Sequence, residues 1–127
     1  EDTGSKNIAI GSNALENLNF DGEGYNVAIG HNAGRQVTTG TSNTLIGGQT
    51  GDALTTGASN IAIGYLALST EDAGSGNVAV GHSALKDQDA GDAFNTAVGY
   101  HAGKAVTTGT GNTLIGGSAG DALTTGW

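Results

Sequence analysis

The amino-acid sequence predicts an all-β protein, folded as a parallel β-solenoid or flattened β-roll of seven coils. A five-residue motif of Asn, three mostly apolar residues and Gly recurs seven times among the 127 residues. The copies are spaced 17–19 residues apart, and each contains one short β-branched segment. A unit this small cannot bury its own apolar face, so it must stack on its neighbours. At about 4.8 Å per coil, seven coils would form a rod roughly 30–35 Å long.

The asparagine that opens each motif marks the start of a coil and is counted here as position 1. These residues are Asn7, Asn26, Asn43, Asn60, Asn77, Asn95 and Asn112, with steps of 19, 17, 17, 17, 18 and 17 residues. Residues 25–57 match residues 94–126 at 23 of 33 positions, an offset of four coils. We expect a single repeat array over residues 1–127, taken from a longer fibre, because neither end carries an initiator Met or a capping coil.

Each coil divides into a strand, a second short element and a return turn. Positions 2 and 4 are β-branched, which predicts a strand, and position 3 must then point to the opposite face. The Gly at position 5 indicates either a positive φ or a close approach between chain segments at a corner. Position 12 is apolar in five coils, and Thr-Thr-Gly closes four. The element between positions 6 and 12 is either a strand or a single helical turn.

The residues at position 3 suggest contact between chains. A sheet face exposed to water normally carries polar side chains, whereas this column contains none. It consists of Ala9, Ala28, Leu45, Ala62, Ala79, Ala97 and Leu114. We therefore expect Ile and Val at position 4 to fill the inside of the roll. The small side chains of position 3 would then line the axis of a homotrimer.

The repeat resembles sequences of two known kinds of fibre. The motif Asn-x-Ala-Ile-Gly-x-x-Ala-(Leu/Gly), followed by Thr-Thr-Gly and a return to Asn, is similar to repeat arrays of bacteriophage tail fibres. Those arrays lie upstream of a self-cleaving intramolecular chaperone domain. The motif also resembles the head repeats of trimeric autotransporter adhesins, whose period is shorter. The resemblance covers all seven coils and implies a homotrimeric structural or adhesive segment. It implies contact with a host-surface glycan or receptor, and a place in a virion tail fibre or on a cell surface.

The composition argues against several other classes of protein. Four Lys and Arg against twelve Asp and Glu give a net charge of −8, which disfavours nucleic acid as a partner. There is no Cys for a disulfide or a thiolate metal site. No apolar run approaches the ~18 residues of a membrane span. Repeat columns place polar residues on a uniform surface without a pocket, so we expect no enzyme activity, no cofactor and no bound metal.

Two columns of side chains are candidate sites. The seven asparagines predict a structural ladder, in which the amides bond along the fibre axis or to the turn of their own coil. Position 6 holds Ser12, His31, Gly48, Tyr65, His82, Tyr100 and Gly117. Tyr65, His82 and Tyr100 come from consecutive coils and would form an aromatic strip. This strip is either a ladder that covers a corner or a possible glycan contact, with a metal as a further option. His31 and His101 stand alone in the sequence.

The acidic residues cluster in the turns. The clusters are Asp21 and Glu23, then Glu71 and Asp72, then Asp87, Asp89 and Asp92. They lack the twelve-residue calcium loop, so we expect solvated turn residues. An enzyme acting on polysaccharide would need paired carboxylates in a groove, which irregular turns do not provide.

An alternative function is ice binding by a flat, Thr-rich face. It is suggested by Thr-Thr pairs at residues 38/39, 55/56, 107/108 and 124/125. Coils 1, 4 and 5 lack such a pair, and each pair precedes a Gly at a turn, where a flat lattice is not expected.

Overall fold

The computed structural model describes residues 5–125 as one seven-stranded parallel sheet with its strands in chain order. The strands are β1 (Ile8–Ile10), β2 (Val27–Ile29), β3 (Thr44–Ile46), β4 (Ile61–Ile63), β5 (Val78–Val80), β6 (Thr96–Val98) and β7 (Thr113–Ile115). Each repeat contributes one strand, which confirms the predicted all-β parallel solenoid. The predicted array runs from residue 1 to Trp127, and residues 1–4 and 126–127 lie outside the described residues.

The strands are held in register by a repeated pair of backbone hydrogen bonds. The N–H at position 2 donates to the Asn carbonyl of the next coil, as from Ile61 to Asn77 at 2.8 Å. The N–H of the Gly at position 5 donates to position 4 of the preceding coil, as from Gly64 to Ile46 at 2.8 Å. Equivalent positions therefore lie above one another in all six strand pairs.

The core lies inside the coils of the single chain. It is formed by positions 3, 8, 9 and 12, and the buried residues at position 8 include Ala33, Ala67, Ala84 and Ala102. Its buried members include Ala28, Leu45, Ala62, Ala79 and Ala97 from position 3, Leu15, Leu68 and Leu85 from position 9, and Val37, Leu54 and Val106 from position 12. Where position 9 is Gly, a leucine at position 3 of the same coil or of the next coil fills the space. A Cβ built on Gly51 would lie 2.9 Å from the Leu45 Cδ2 atom.

The predicted assignment of the two strand faces is wrong. The proposed axis column comprises Ala9, Ala28, Leu45, Ala62, Ala79, Ala97 and Leu114. Its internal members are buried inside their own chain, while Ala9 and Leu114 belong to the end coils. Ile and Val at position 4 point outward instead, and Ile10 and Ile115 are 58% and 70% exposed. The cause is the strand's two-residue alternation, because position 3 must share the inner face with the buried Asn of position 1.

The second element is neither a strand nor a helical turn. It is a series of tight turns, in which the N–H at position 8 donates to the Gly carbonyl at position 5, as from Ala67 to Gly64 at 3.2 Å. Positions 7 and 9 both have positive φ, for example 58° at Leu66 and 52° at Leu68. Such values are unusual for leucine and require compensation, which burial of Leu68 provides. No helix with the length and apolar character needed to cross a bilayer occurs among residues 5–125.

The prediction for the glycine at position 5 is confirmed in both its parts. Gly64 has a φ of 128°, a conformation that side chains rarely adopt. A Cβ built on it would lie 2.5 Å from the carbonyl oxygen of Gly81 in the next coil. A side chain at this corner would therefore separate the coils.

Candidate functional site

The asparagine column combines the two arrangements that the sequence left open. Each described Oδ1 from Asn7 to Asn95 accepts the backbone N–H of the next asparagine, at 2.8–3.1 Å. The side-chain NH2 of Asn60 donates to the carbonyl of Gly74 in the turn of its own coil, at 2.8 Å. Asn26, Asn43 and Asn95 make the equivalent turn bond. In the axial bond, therefore, a backbone N–H donates to a side-chain amide oxygen, and the geometry is that of a structural ladder.

Asn77 is the exception among these ladder residues. Its Nδ2 atom is buried and has no hydrogen-bond partner in the described part of the chain. Coil 5 is one residue longer than most. The insertion leaves the strand register intact, because β5 and β6 still pair position for position.

A buried polar group interrupts the apolar column at position 12. Here the expectation of solvated acidic residues is wrong for Glu71, which is fully buried. Its Oε1 accepts the N–H of Gly74 at 2.7 Å, and its Oε2 accepts the Gln88 Nε2 at 3.0 Å. Gln88 in turn accepts from Asn95 Nδ2 at 2.8 Å. Position 12 is polar in two consecutive coils, at Glu71 and Gln88, and apolar in the other five. This difference was the available sequence signal.

The remaining acidic residues of the clusters lie at or near the surface. Asp21, Glu23, Asp72, Asp89 and Asp92 are exposed, and Asp87 is half-buried. Asp72 and Asp89 approach Glu71, with carboxylate oxygens of all three within 4.8 Å of one another. Because the Glu71 oxygens already accept hydrogen bonds from protein N–H groups, this cluster is explained as a turn structure.

The aromatic strip forms as a contiguous surface feature. The ring centroids of Tyr65 and His82 are 5.4 Å apart, and those of His82 and Tyr100 are 5.3 Å apart. His101, which stands alone in the sequence, joins the strip by stacking on Tyr100 at 3.9 Å and lying 5.5 Å from His82. Sequence reasoning missed it because position 7 is turned towards position 6 of its own coil by a positive φ of 56°.

The strip is open to solvent and lies on a surface without a cavity. Tyr65 and Tyr100 are 48% and 58% exposed, and the described residues enclose no pocket. Glycines flank the strip in the same column, and a Cβ built on Gly117 would meet nothing within 4 Å. His31 lies outside the strip, with Gly48 between it and Tyr65 in the column. The strip is therefore a shallow, polar-edged surface four rings in extent.

The electrostatic surroundings of His101 are unlike those of most of this acidic chain. Partial desolvation lowers the pKa of His101 below its usual value, and the nearby charges of Lys104 and His82 lower it further. Asp121 acts in the opposite direction. The strip thus borders on a cationic side chain, in a protein with only four Lys and Arg residues.

The Thr-Thr pairs do not form a continuous lattice over the described coils. The hydroxyl of Thr38 donates to the carbonyl of Thr55 at 3.3 Å, and Thr55 donates to the Asp72 carbonyl at 2.8 Å. Thr107 donates to Thr124 in the same way, at 3.3 Å. The pairs therefore occupy two blocks of two coils, separated by coils that carry Asp72 and Asp89.

The outward face of the sheet is apolar and uncovered. Its fourteen side chains, at positions 2 and 4, are all Ile, Val or Thr, and none is charged. They are exposed or half-buried in the single chain. We call these fourteen residues, in strands β1 to β7, the outer face.

Comparison with known proteins identifies no relative. No protein-family model, curated protein or solved structure matches the chain. The likeness of the motif to tail-fibre and adhesin repeats therefore stays a prediction from the sequence.

Proposed function

We propose that this chain is a structural and adhesive segment of a homotrimeric fibre, in a viral tail or on a cell surface, that contacts host-surface glycans. The outer face carries this proposal. All-parallel sheets are almost always covered on both faces, and the chain's own coil covers only the inner one. Whatever covers the outer face must therefore supply an apolar surface of similar length. Other copies of the chain possess such a surface.

Closed symmetry explains how such a face stays out of solution. Three chains around one axis bring three outer faces together, which removes an apolar stripe that would otherwise aggregate. The net charge of −8 per chain then lies on turns and corners, away from the strands, where it keeps the fibre soluble. We therefore propose the same homotrimer that the sequence predicted, but with the side chains of positions 2 and 4, instead of position 3, at the contact between chains.

The adhesive part of the proposal rests on the aromatic strip. Tyr65, His82 and Tyr100 are exposed on consecutive coils, where a structural ladder would not need polar ring edges in solvent. Tyrosine and histidine combine an apolar ring with a hydrogen-bonding tip, a combination that suits sugars. Unlike the outer face, the strip lies beyond the corner glycine of position 5 and stays accessible when strands pack.

The test is the mass of the assembly and its response to one buried charge. We expect sedimentation equilibrium to give three times the 12.4 kDa of the chain. Ile63→Asp, in the middle of the outer face, should dissociate the trimer, because carboxylates would be desolvated in an apolar contact. Thr56→Asp, at an exposed turn, is the matched control and should remain trimeric.

Two results would contradict this packing. One is a wild-type chain that sediments as a stable monomer. The other is an Ile63→Asp variant that stays trimeric with an unchanged melting temperature. If a monomer also showed thermal hysteresis, the ice-binding alternative would replace the fibre.

A further inference from the structure

We propose that the aromatic strip binds a linear glycan that carries carboxylate groups, and that the complex tightens as the pH falls. The inference rests on the proposed glycan contact and adds the charge of the ligand, its shape and the control of binding by protons. It is carried by three observations, namely the local concentration of basic side chains, the axial spacing of the rings, and the absence of a cavity in the described part of the chain.

Basic residues are concentrated where the strip lies. The chain has four Lys and Arg and three His. Two of the four, Lys86 and Lys104, and two of the three histidines, His82 and His101, belong to coils 5 and 6. Of these lysines, Lys104 acts electrostatically on His101, whereas Lys86 is paired with Asp87. The same two coils also contain Asp89 and Asp92, so the basic character is local to the rings of coil 6.

The neighbouring charged residues determine which of these basic side chains can pair with a ligand. Lys86 is paired with Asp87 at 2.9 Å, whereas Lys104 forms no ion pair with a described residue. Asp121 is the acidic group that acts on His101, and the hydroxyl of Ser83 lies 3.0 Å from His82 Nδ1. Tyr65 and Tyr100 contribute uncharged rings on either side of His82. Lys104 therefore lies beside the rings without an ion-pair partner among the described residues, where a carboxylate of the ligand could pair with it.

The geometry favours an extended ligand. The rings follow one another along the fibre axis at 5.3–5.4 Å, close to the length that one pyranose ring adds to an extended chain. Coils 4 and 5 then each offer one ring to one sugar, and coil 6 offers Tyr100 together with His101. Since residues 5–125 form no pocket, a single sugar would stay largely solvated, and useful contact area requires several rings in a row.

Protonation of the histidines would strengthen the binding of an acidic glycan. Histidine gains its charge just below neutral pH, and in the free strip two charged imidazoles would lie 5.5 Å apart beside Lys104. A bound carboxylate relieves this repulsion. At neutral pH the overall charge of −8 repels the same ligand. An exposed ion pair contributes a factor of about 2–5 in affinity, so two imidazoles should increase the affinity about 4- to 25-fold.

The experiment is calorimetric titration of the full chain between pH about 7.5 and about 5.5, the range in which histidine charges. The probes are a linear oligogalacturonate, its methyl-esterified form and sialyllactose, which carries one terminal carboxylate. We expect oligogalacturonate to bind more tightly at the lower pH by the factor above. The ester should bind weakly without a pH trend, and sialyllactose should bind more weakly than oligogalacturonate.

Variants assign the pH dependence to the strip. The double variant His82→Gln/His101→Gln should lose the gain on acidification, whereas His31→Gln, outside the strip, should keep it. Equal binding of the ester would overturn the charge inference and leave the proposed glycan contact standing. Preferred binding of sialyllactose would overturn the extended ligand. No binding of any probe at either pH would overturn both this inference and the glycan contact, while the trimer is tested separately by its mass.

Discussion

At the scale of single residues, the asparagine side chain stabilises the coil by satisfying two buried backbone groups at once. For Asn60 these groups are the N–H of Asn77 and the carbonyl of Gly74. Asn60→Ala should lower the free energy of unfolding by about 2–6 kcal/mol, because each of the two unpaired buried groups costs about 1–3 kcal/mol. Urea unfolding measures this. Asn7→Ala in the half-buried end coil should cost less, and equal losses would contradict the ladder.

Glycine shows how one residue type has different roles in neighbouring columns. Gly64→Ala would place a methyl group against the Gly81 carbonyl in a conformation that alanine avoids. We expect it to destabilise the chain by about 3 kcal/mol or more. Gly117→Ala, only one position further along its own coil, meets open space and should change the melting temperature little. A similar loss in both variants would show that the contact between coils is not the cause.

His101 should make the stability of the chain dependent on pH. Its pKa is lowered in the folded chain, so the unfolded state binds more protons in the window just below the usual value of 6.5. The contribution is therefore fully present above that value and is lost as the pH falls towards the folded pKa. Thermal melts should show a smaller decline across this window for His101→Gln than for wild type. An unchanged decline would assign the dependence to other groups.

At the scale of the coil, positions 3 and 9 share one interior volume. Coil 3 combines Leu45 with Gly51, whereas coil 4 combines Ala62 with Leu68, at nearly the same φ of 53° and 52° for position 9. Leu45→Ala should cost about 2–5 kcal/mol through the cavity that it leaves. Adding Gly51→Leu should recover part of that loss, because coil 4 already accommodates this pair. A double-mutant cycle measures the coupling, and additive effects would contradict it.

Much of the coil was predictable from the sequence, and the errors have a shared cause. Period and β-branching indicated the strands, and the invariant glycine indicated the corner. Alternation defines two faces without saying which is inside, so Leu45 was placed on the wrong one. The overlooked sign of a shared interior was that position 3 is leucine only in coils whose position 9 is Gly. Glu71 was misassigned because a charged residue in a turn is usually solvated, and only the fold reveals the N–H groups that surround it.

At the scale of the whole molecule, stability should vary along the axis. Each coil contacts only its neighbours, so β1 and β7 have one neighbouring strand and β4 has two. Hydrogen exchange should be slow at the Ile61 amide and fast at the Ile8 amide, because end coils open locally at lower cost. Uniform protection along the chain would instead indicate that the whole stack opens as one unit.

The unbroken strand register allows such a molecule to gain or lose whole coils. Insertions are absorbed in return turns, so every strand offers the next one the same set of bonds. A block of whole coils can therefore be duplicated or deleted in the gene, because the two strands that then become neighbours form the same backbone hydrogen bonds. The 69-residue offset between the two similar 33-residue segments corresponds to four coils, or roughly 19 Å. The length of the solenoid can therefore be changed, by evolution or by design, in steps of one coil.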